Sequence, residues 1–272
     1  GIDLAQEPLE IAVSAQHCNG GLAGNLWWES NLAHFFPVGE VNGSFGVYRP
    51  GGSALNATQV GGVRAAQYIF HNYRQDPLPV DQFLQIVKSQ VQRKLNLAEN
   101  LTRSLNESHN LEESMASLRK RMSRAGAHVR NLAKIVEISE ECRRELAQFP
   151  AGICLSSVRD LPDAFRYYDM LITQNMFLSA IREYIQKGGQ SRGSYLVSND
   201  KGKLPATGLA DVFRYQLADD TLMDYICEAR LDSEKDWGCT FAWIPVRPIP
   251  QEHDWFETLW ADYRSGNLWR KD

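Results

Sequence analysis

The chain has 272 residues, of which 43% are hydrophobic and 23% are charged, and its formal net charge is −4. This composition is typical of a globular protein with a sizeable core. It excludes a strongly basic nucleic-acid-binding surface, and no apolar run is long enough to cross a bilayer. The five cysteines are scattered without a Cys-x-x-Cys pair. That pattern favours free thiols in the cytoplasm and gives no indication of a zinc site.

Residues 1–74 are rich in glycine and aromatic residues. Short strands are predicted over residues 10–14 and 35–39, the second running into a turn. Residues 53–73 have apolar positions near helical spacing and predict a helix, with Ser53 as its N-cap. Glycines at this density indicate tight turns and places where the backbone approaches a ligand closely.

Residues 75–189 have an almost purely helical pattern of apolar positions. Helices are predicted over residues 80–97, over 111–149 with a break near Gly126, and over 161–187. Pro162 lies in the first turn of the last of these, where a missing donor costs least, and Gly188 follows its end. Helices joined by short links predict an antiparallel bundle.

Residues 190–272 have a mixed pattern. Two strands, 222–231 and 237–246, are separated by a short polar link and predict a hairpin. Cys227 and Cys239 could face each other across it, in which case a disulfide is geometrically possible, although a reducing compartment argues against one. Residues 254–263 predict a terminal helix. The expected fold class is therefore α+β, with the end portion of an α/β domain, an antiparallel helical bundle and a small mixed hairpin region.

The residues that carry chemistry lie between residues 16 and 68. In chain order they are His17 followed by Gly20-Gly21, Val38-Gly39-Glu40, Gly46 with Arg49 and Gly51-Gly52, and then the predicted helix. A carboxylate at a strand end can accept hydrogen bonds from ribose or ribityl hydroxyls. A helix N-terminus presents unpaired N–H groups and a partial positive charge. The arrangement therefore favours a nucleotide-type cofactor.

This order of motifs resembles the flavoprotein subunit of succinate dehydrogenase and fumarate reductase, and also L-aspartate oxidase. The resemblance includes the helical bundle and the Ser191-Arg192-Gly193 turn that follows it. It implies three parts: residues 1–74 as the C-terminal portion of an FAD-binding domain, 75–189 as a helical bundle domain and 190–272 as a C-terminal mixed region.

The resemblance also implies roles for individual residues. His17 and Arg49 are expected to bind a substrate carboxylate, because a guanidinium matches a carboxylate with two parallel donors. Taken alone, His17 also suits a structural histidine and Arg49 a surface ion pair. The residues expected to contact FAD are Gly39, Glu40, Gly51, Gly52, Ser53, Ala54 and Leu55. The implied activity is hydride transfer between the flavin and a carboxylate-bearing substrate.

Several positions depart from the family pattern. Ser53-Ala54 replaces the usual Asn-Ser, and Phe45 stands where the family has a histidine, so the substrate is not named by the resemblance. The residues after Gly193 also differ, which leaves docking to a standard iron–sulfur partner open. An electron-transfer partner protein remains an expected class of partner, beside the small carboxylate; nucleic acid and membrane insertion are not expected.

The sequence contains no Gly-x-Gly-x-x-Gly motif, which in this family holds the FAD pyrophosphate. We therefore expect a C-terminal fragment that binds FAD weakly and is inactive alone, with exposed edges that self-associate. The alternative hypothesis is a helical interaction or assembly module that has kept a decayed flavin segment.

Overall fold

The computed structural model describes residues 3, 5–7, 20–45, 52–103, 105, 108–232, 237–248, 251 and 253–269. Within these residues the fold is α+β, which confirms the predicted fold class. The helices are α1 (Ser53–Asn72), α2 (Val80–Arg103), α3 (Leu111–Ala125), α4 (Leu132–Gln148), α5 (Leu161–Gln186) and α6 (Trp255–Ser265). The strands are β1 (Val129–Arg130), β2 (Leu196–Lys203), β3 (Tyr225–Asp232) and β4 (Gly238–Pro245).

The chain divides into two compact units. The first unit comprises residues 1–75 with 251–272, and the second comprises 76–250. The three-part division made from the sequence stays a prediction. Within the described residues, no helix has both the length and the apolar character needed to cross a membrane.

The second unit is built on α3, α4 and α5. Apolar residues recur along α3 at Leu111, Met115 and Leu118, so they lie on one face, as helical spacing requires. That face packs with α4 and α5 around a core in which Cys142 and Leu171 are fully buried. The predicted helical bundle thus holds its apolar stripes inward.

Two helices end at glycines that the sequence marks as helix-ending residues. The predicted break is confirmed at Gly126, whose N–H bonds the carbonyl of Met122. α5 ends before Gly188, which has φ of 93°, and the N–H of Gly189 bonds the carbonyl of Tyr184. A glycine in the left-handed region at this position closes a helix at little steric cost.

The β structure consists of two small sheets. β1 pairs in parallel with β2, Val129 opposite Leu196, and β2 was not predicted as a strand. The predicted hairpin is confirmed as the antiparallel pair β3–β4.

The register of the hairpin corrects the prediction for its cysteines. Cys227 pairs with Trp243, whereas Cys239 pairs with Leu231. Both cysteines point to the same face but stand four positions apart in register, so they do not face each other. Each is a free thiol.

Two predictions in the first unit are wrong. Residues 35–39 form no strand; they run into a turn in which Gly39 has φ of 90° and Pro37 has no N–H to donate to a ladder. The N-cap of α1 is Gly52 and not Ser53, which is the first helical residue. The strand predicted over residues 10–14 lies outside the described residues.

Candidate functional site

The start of α1 is the first component of the candidate site. Gly52 is its N-cap with φ of 82° and ψ of −19°, a left-handed conformation that a glycine adopts readily. Its carbonyl accepts hydrogen bonds from the N–H groups of Leu55 at 3.1 Å and Asn56 at 3.3 Å. The first turn contains no acidic residue, so no side-chain carboxylate within it offsets the positive end of the helix dipole.

The residues of this first turn differ in exposure. Ser53 and Ala54 are half-buried, while the side chain of Leu55 is 70% exposed. The hydroxyl of Thr58 donates to the carbonyl of Ala54 at 2.8 Å, which ties that side chain to the helix backbone. The most exposed side chain of this turn is therefore that of Leu55, beside the smaller Ser53 and Ala54.

The turn at Gly39 and Glu40 is the second component. The N–H of Asn42 bonds the carbonyl of Gly39 at 3.1 Å, which closes the turn. A Cβ at Gly39 would lie 3.4 Å from Cγ2 of Thr58, so this turn packs against the beginning of α1. Glu40 is exposed. The structure thus brings together two of the segments that the sequence predicted to contact the cofactor.

A backbone clasp between residues 20–24 and 41–44 is the third component. The N–H of Leu22 bonds the carbonyl of Val41 at 2.7 Å, and the N–H of Gly43 bonds the carbonyl of Leu22 at 3.0 Å. A Cβ at Gly21 would lie 2.3 Å from the Val41 carbonyl oxygen, so only glycine allows this approach. The glycine pair that follows His17 in sequence is therefore held against the residues that follow Glu40.

Asn42 lies at the centre of the clasp and was missed by the sequence interpretation. Its side chain is buried, and its Oδ1 accepts a hydrogen bond from the N–H of Ser44 at 3.1 Å. The sequence signal was available, because asparagine before glycine is typical of a turn. Phe45, which replaces the family histidine, is also buried, with 7% exposure.

Three predicted site residues lie outside the described residues: His17, Arg49 and Gly51. Their predicted roles stay predictions, as do those of Gly39, Glu40, Gly52, Ser53, Ala54 and Leu55, whose positions are given above.

The adjacent tryptophans pack within the first unit. The ring of Trp27 stacks on Tyr68 with centroids 5.4 Å apart and an interplanar angle of 17°. The guanidinium of Arg64 lies over the same indole, 4.5 Å from its centroid. Trp28 packs against α1 at Gly61. Both tryptophan rings are thus packed against residues of α1.

The Ser191-Arg192-Gly193 turn is held by hydrogen bonds to β2 and to the segment around Gln216. The hydroxyl of Ser191 accepts a hydrogen bond from the N–H of Val197 at 2.8 Å, and its own N–H bonds the carbonyl of Gln216 at 3.0 Å. Arg192 and Tyr195 exchange backbone hydrogen bonds that close the turn. Ser191 thus bonds β2 itself, at Val197, and the segment at Gln216 that follows β2 in the chain.

The described part of the candidate site offers backbone N–H groups and the carboxylate of Glu40. Within the described residues, no group of three histidine, cysteine, aspartate or glutamate side chains is arranged to hold a metal ion. The glycine turn contacts α1 through Gly39 and Thr58, and the N-terminus of a helix is in general favourable for an anionic group.

Comparison with known proteins agrees with the motif resemblance. No family model matches the chain. It is 46% identical over 66 residues to a fumarate reductase (CoM/CoB) subunit from Methanothermobacter marburgensis, over 24% of this chain and 12% of the relative. It is 43% identical over 68 residues to an uncharacterized FAD-dependent oxidoreductase from Methanocaldococcus jannaschii, over 25% of this chain and 13% of the relative.

These similarities confirm the resemblance to a fumarate reductase-type flavoprotein over about a quarter of the chain. The matched regions span about an eighth of the length of either relative.

Proposed function

We propose that this chain contributes to an FAD-dependent oxidoreductase of the fumarate reductase type, which transfers hydride between the flavin and a carboxylate-bearing substrate. The observation that carries the proposal is the packing of the Gly39-Glu40 turn against the start of α1, beside the glycine clasp. These are the segments for which the sequence predicts cofactor contact.

The residues present fit an FAD site. Gly39 and Gly52 both adopt left-handed backbone conformations. The first turn of α1 lacks an acidic side chain, and the N-terminus of a helix carries N–H groups that have no partner within the regular helix. Such an end stabilises negative charge that accumulates on a neighbouring group. Glu40, exposed in the turn, has the chemistry to accept hydrogen bonds from the ribityl hydroxyls.

The redox chemistry itself would be supplied by the bound flavin. The contribution of this chain is to bind and orient. Arg49 would pair with a substrate carboxylate through two parallel N–H donors, and His17 would add a further donor. The backbone of Ser53, Ala54 and Leu55 would lie at the pyrimidine edge of the flavin, where the positive end of the helix dipole would favour the reduced form.

The names of the relatives support the coarser part of the proposal. One is described as part of a fumarate reductase, and the other as an FAD-dependent oxidoreductase. Because the first is one subunit of its enzyme, we include an electron-transfer partner protein in the proposal. The substrate is assigned only as a carboxylate.

The test uses the intact protein loaded with FAD and compares Arg49→Ala with Arg74→Ala. Arg74 is an exposed arginine in the same unit and outside the motifs. Removing one partner of a desolvated charge pair costs about 2–5 kcal/mol. Arg49→Ala should therefore lower kcat/KM for fumarate reduction at least ~30-fold with FAD retained, and Arg74→Ala should not. Unchanged turnover in Arg49→Ala would contradict the assigned role.

The alternative function, a helical interaction module, has one observation in its favour. Apolar side chains of α2 are exposed, among them Leu84, Val91 and Leu95. An intact protein that is colourless and takes up no flavin would support this alternative and exclude the oxidoreductase.

A further inference from the structure

We propose that a cavity in the second unit binds a small organic phosphate through its phosphate group. The cavity lies where the end of α3, the strand β1 and the start of α4 come together, and its volume is about 510 Å³. Pockets of roughly 300–1,000 Å³ are typical of sites for small organic molecules. The segments assigned to the flavin belong to the first unit, so this inference does not rest on the proposed function.

The lining of the cavity is positively charged. Arg124, His128 and Lys134 contribute a guanidinium, an imidazole and an ammonium group, and none of the described residues that line the cavity is aspartate or glutamate. One positive charge each from Arg124 and Lys134 gives +2 with the histidine neutral. A phosphate monoester carries about −1.5 to −2 at pH 7, and its oxygens accept charge-assisted hydrogen bonds from arginine and lysine.

The two cations are accessible to an entering anion. Arg124 is exposed at the end of α3. The Nζ of Lys134 lies 2.8 Å and 2.9 Å from the carboxylate oxygens of Glu137, and the side chains of this pair are 38% and 55% exposed. An exposed pair of this kind contributes little to stability, so Lys134 can exchange the carboxylate for a phosphate oxygen at little cost.

The backbone at the start of α4 adds to the positive potential. Asn131 caps this helix, and its Oδ1 accepts a hydrogen bond from the N–H of Lys134 at 3.1 Å. The N–H groups of Leu132 and Ala133, at the first two helical positions, have no acceptor within the regular helix. The first turn contains no acidic residue. Such a helix start, beside cationic side chains, favours a phosphate group.

The end of α3 would by itself oppose an anion, since the last carbonyl groups of a helix carry partial negative charge. Arg130 offsets this effect. Its Nε donates to the carbonyl of Ala127 at 3.1 Å, and its Nη2 donates to that of Gly126 at 3.3 Å. The guanidinium lies over the ring of Tyr195, 3.8 Å from the ring centroid. The carbonyl oxygens that follow α3 are therefore already bonded to a cation.

The remaining lining favours an organic ester over the free ion. Ala127, Val129 and Val212 contribute apolar side chains, against which a phosphate oxygen would find no hydrogen-bond donor. A water molecule takes up about 30 Å³, so a free phosphate with its five heavy atoms leaves most of the cavity unfilled. An organic group joined through the ester oxygen would cover the apolar side chains.

The experiment measures dissociation constants for the intact chain by isothermal titration calorimetry at about pH 7.5, above the second pKa of a phosphate monoester, about 6. The probes are phenyl phosphate, inorganic phosphate, which lacks the organic group, and phenol, which lacks the phosphate. Arg124→Ala and His128→Ala each remove one donor from the lining. Arg119→Ala is the matched control, because Arg119 is an exposed arginine of the same helix that does not line the cavity.

We expect phenyl phosphate to bind with a dissociation constant of about 1 mM or lower, inorganic phosphate to bind more weakly and phenol to show no binding. Arg124→Ala should weaken the binding of phenyl phosphate about tenfold or more and His128→Ala about threefold or more, whereas Arg119→Ala should leave it unchanged.

Three results would overturn the inference: no binding of phenyl phosphate, equal losses in Arg119→Ala and Arg124→Ala, or equal binding of phenol. Inorganic phosphate that binds as tightly as phenyl phosphate would overturn the organic ligand. If one of the two lining variants does not fold, the other decides by the same comparison with Arg119→Ala.

Discussion

Two adjacent glycines of α1 offer a test of the packing in the first unit. Gly61 and Gly62 occupy the same helix and gain the same helical propensity on substitution by alanine, about 0.8–1.0 kcal/mol. Their surroundings differ. A Cβ at Gly61 would lie 2.8 Å from Cε2 and 2.9 Å from Nε1 of Trp28, whereas one at Gly62 would meet only Val38 at ordinary contact distance.

The expected free energies of unfolding therefore diverge. Gly62→Ala should stabilise by about 0.5–1 kcal/mol. Gly61→Ala must displace an indole whose own backbone is held at φ of 63°, and overpacking of this kind costs about 1–3 kcal/mol. The two alanines should differ by about 1–3 kcal/mol, which corresponds to a difference in Tm of at least roughly 4 °C for a unit of this size.

The assay is thermal unfolding of the intact protein followed by far-UV circular dichroism. A double-mutant cycle with Trp28→Leu identifies the cause: in that background Gly61→Ala should behave as Gly62→Ala does, with a coupling of about 1 kcal/mol or more. Equal Tm shifts for the two alanines in the wild-type background would refute the packing of Trp28 on α1.

Two further predictions concern the second unit. Arg121 is buried and bonds Glu145 through both terminal nitrogens, while the Glu145 carboxylate stays about a third exposed. Arg121→Met should therefore lower the free energy of unfolding, measured by urea denaturation, by about 2–3 kcal/mol. As the control, Lys134→Ala in the exposed pair with Glu137 should lower it by under ~1 kcal/mol. Equal costs would contradict the burial of the first pair. Burial raises the pKa of Cys142 to about 12. As the pH rises above about 9, the thiol therefore ionises in the unfolded state but not yet in the folded state, and the free energy of unfolding should fall. Relative to Cys142→Ala, the wild-type free energy of unfolding should drop by about 1.5 kcal/mol more between about pH 8 and pH 10, and parallel curves would count against this assignment.

The helices were predictable because their signals are local. The helix predicted over 53–73 is observed as Ser53–Asn72, and that predicted over 161–187 as Leu161–Gln186. In the second case Pro162 and Gly188 mark the ends directly, since one lacks a donor and the other accepts a left-handed conformation. Between these ends, the spacing of the apolar residues indicated a helix.

The β structure was less predictable because pairing is not local. β2 carries Ser198, Asn199 and Asp200, which have weak strand propensity, and its partner Val129 lies far away in sequence. In a hairpin the register depends on the connection between the strands as well as on the apolar pattern, and residues 233–236 between β3 and β4 lie outside the described residues. The alternation of apolar residues indicated the hairpin and could not indicate which cysteine met which residue.

In the candidate site, the sequence predicted that the backbone approaches closely at the glycines, but it did not predict which residues contact each other there. The density of glycine indicated close backbone approach, and Gly21 against Val41 is such a contact. No pattern in the sequence indicated that Gly39 would meet Thr58 or that Asn42 would lie between two loops, because those contacts depend on how separate turns pack together.

The N-cap of α1 has a consequence for chemical synthesis. Gly52 has φ of 82°, yet no atom of the described residues lies within 4 Å of where its Cβ would be. Replacement of Gly52 is therefore limited by the chirality of the new residue and not by the size of its side chain. A D-alanine introduced there by semisynthesis has the mirror-image backbone preference of its L form and should be accepted, whereas L-alanine should strain the start of the helix.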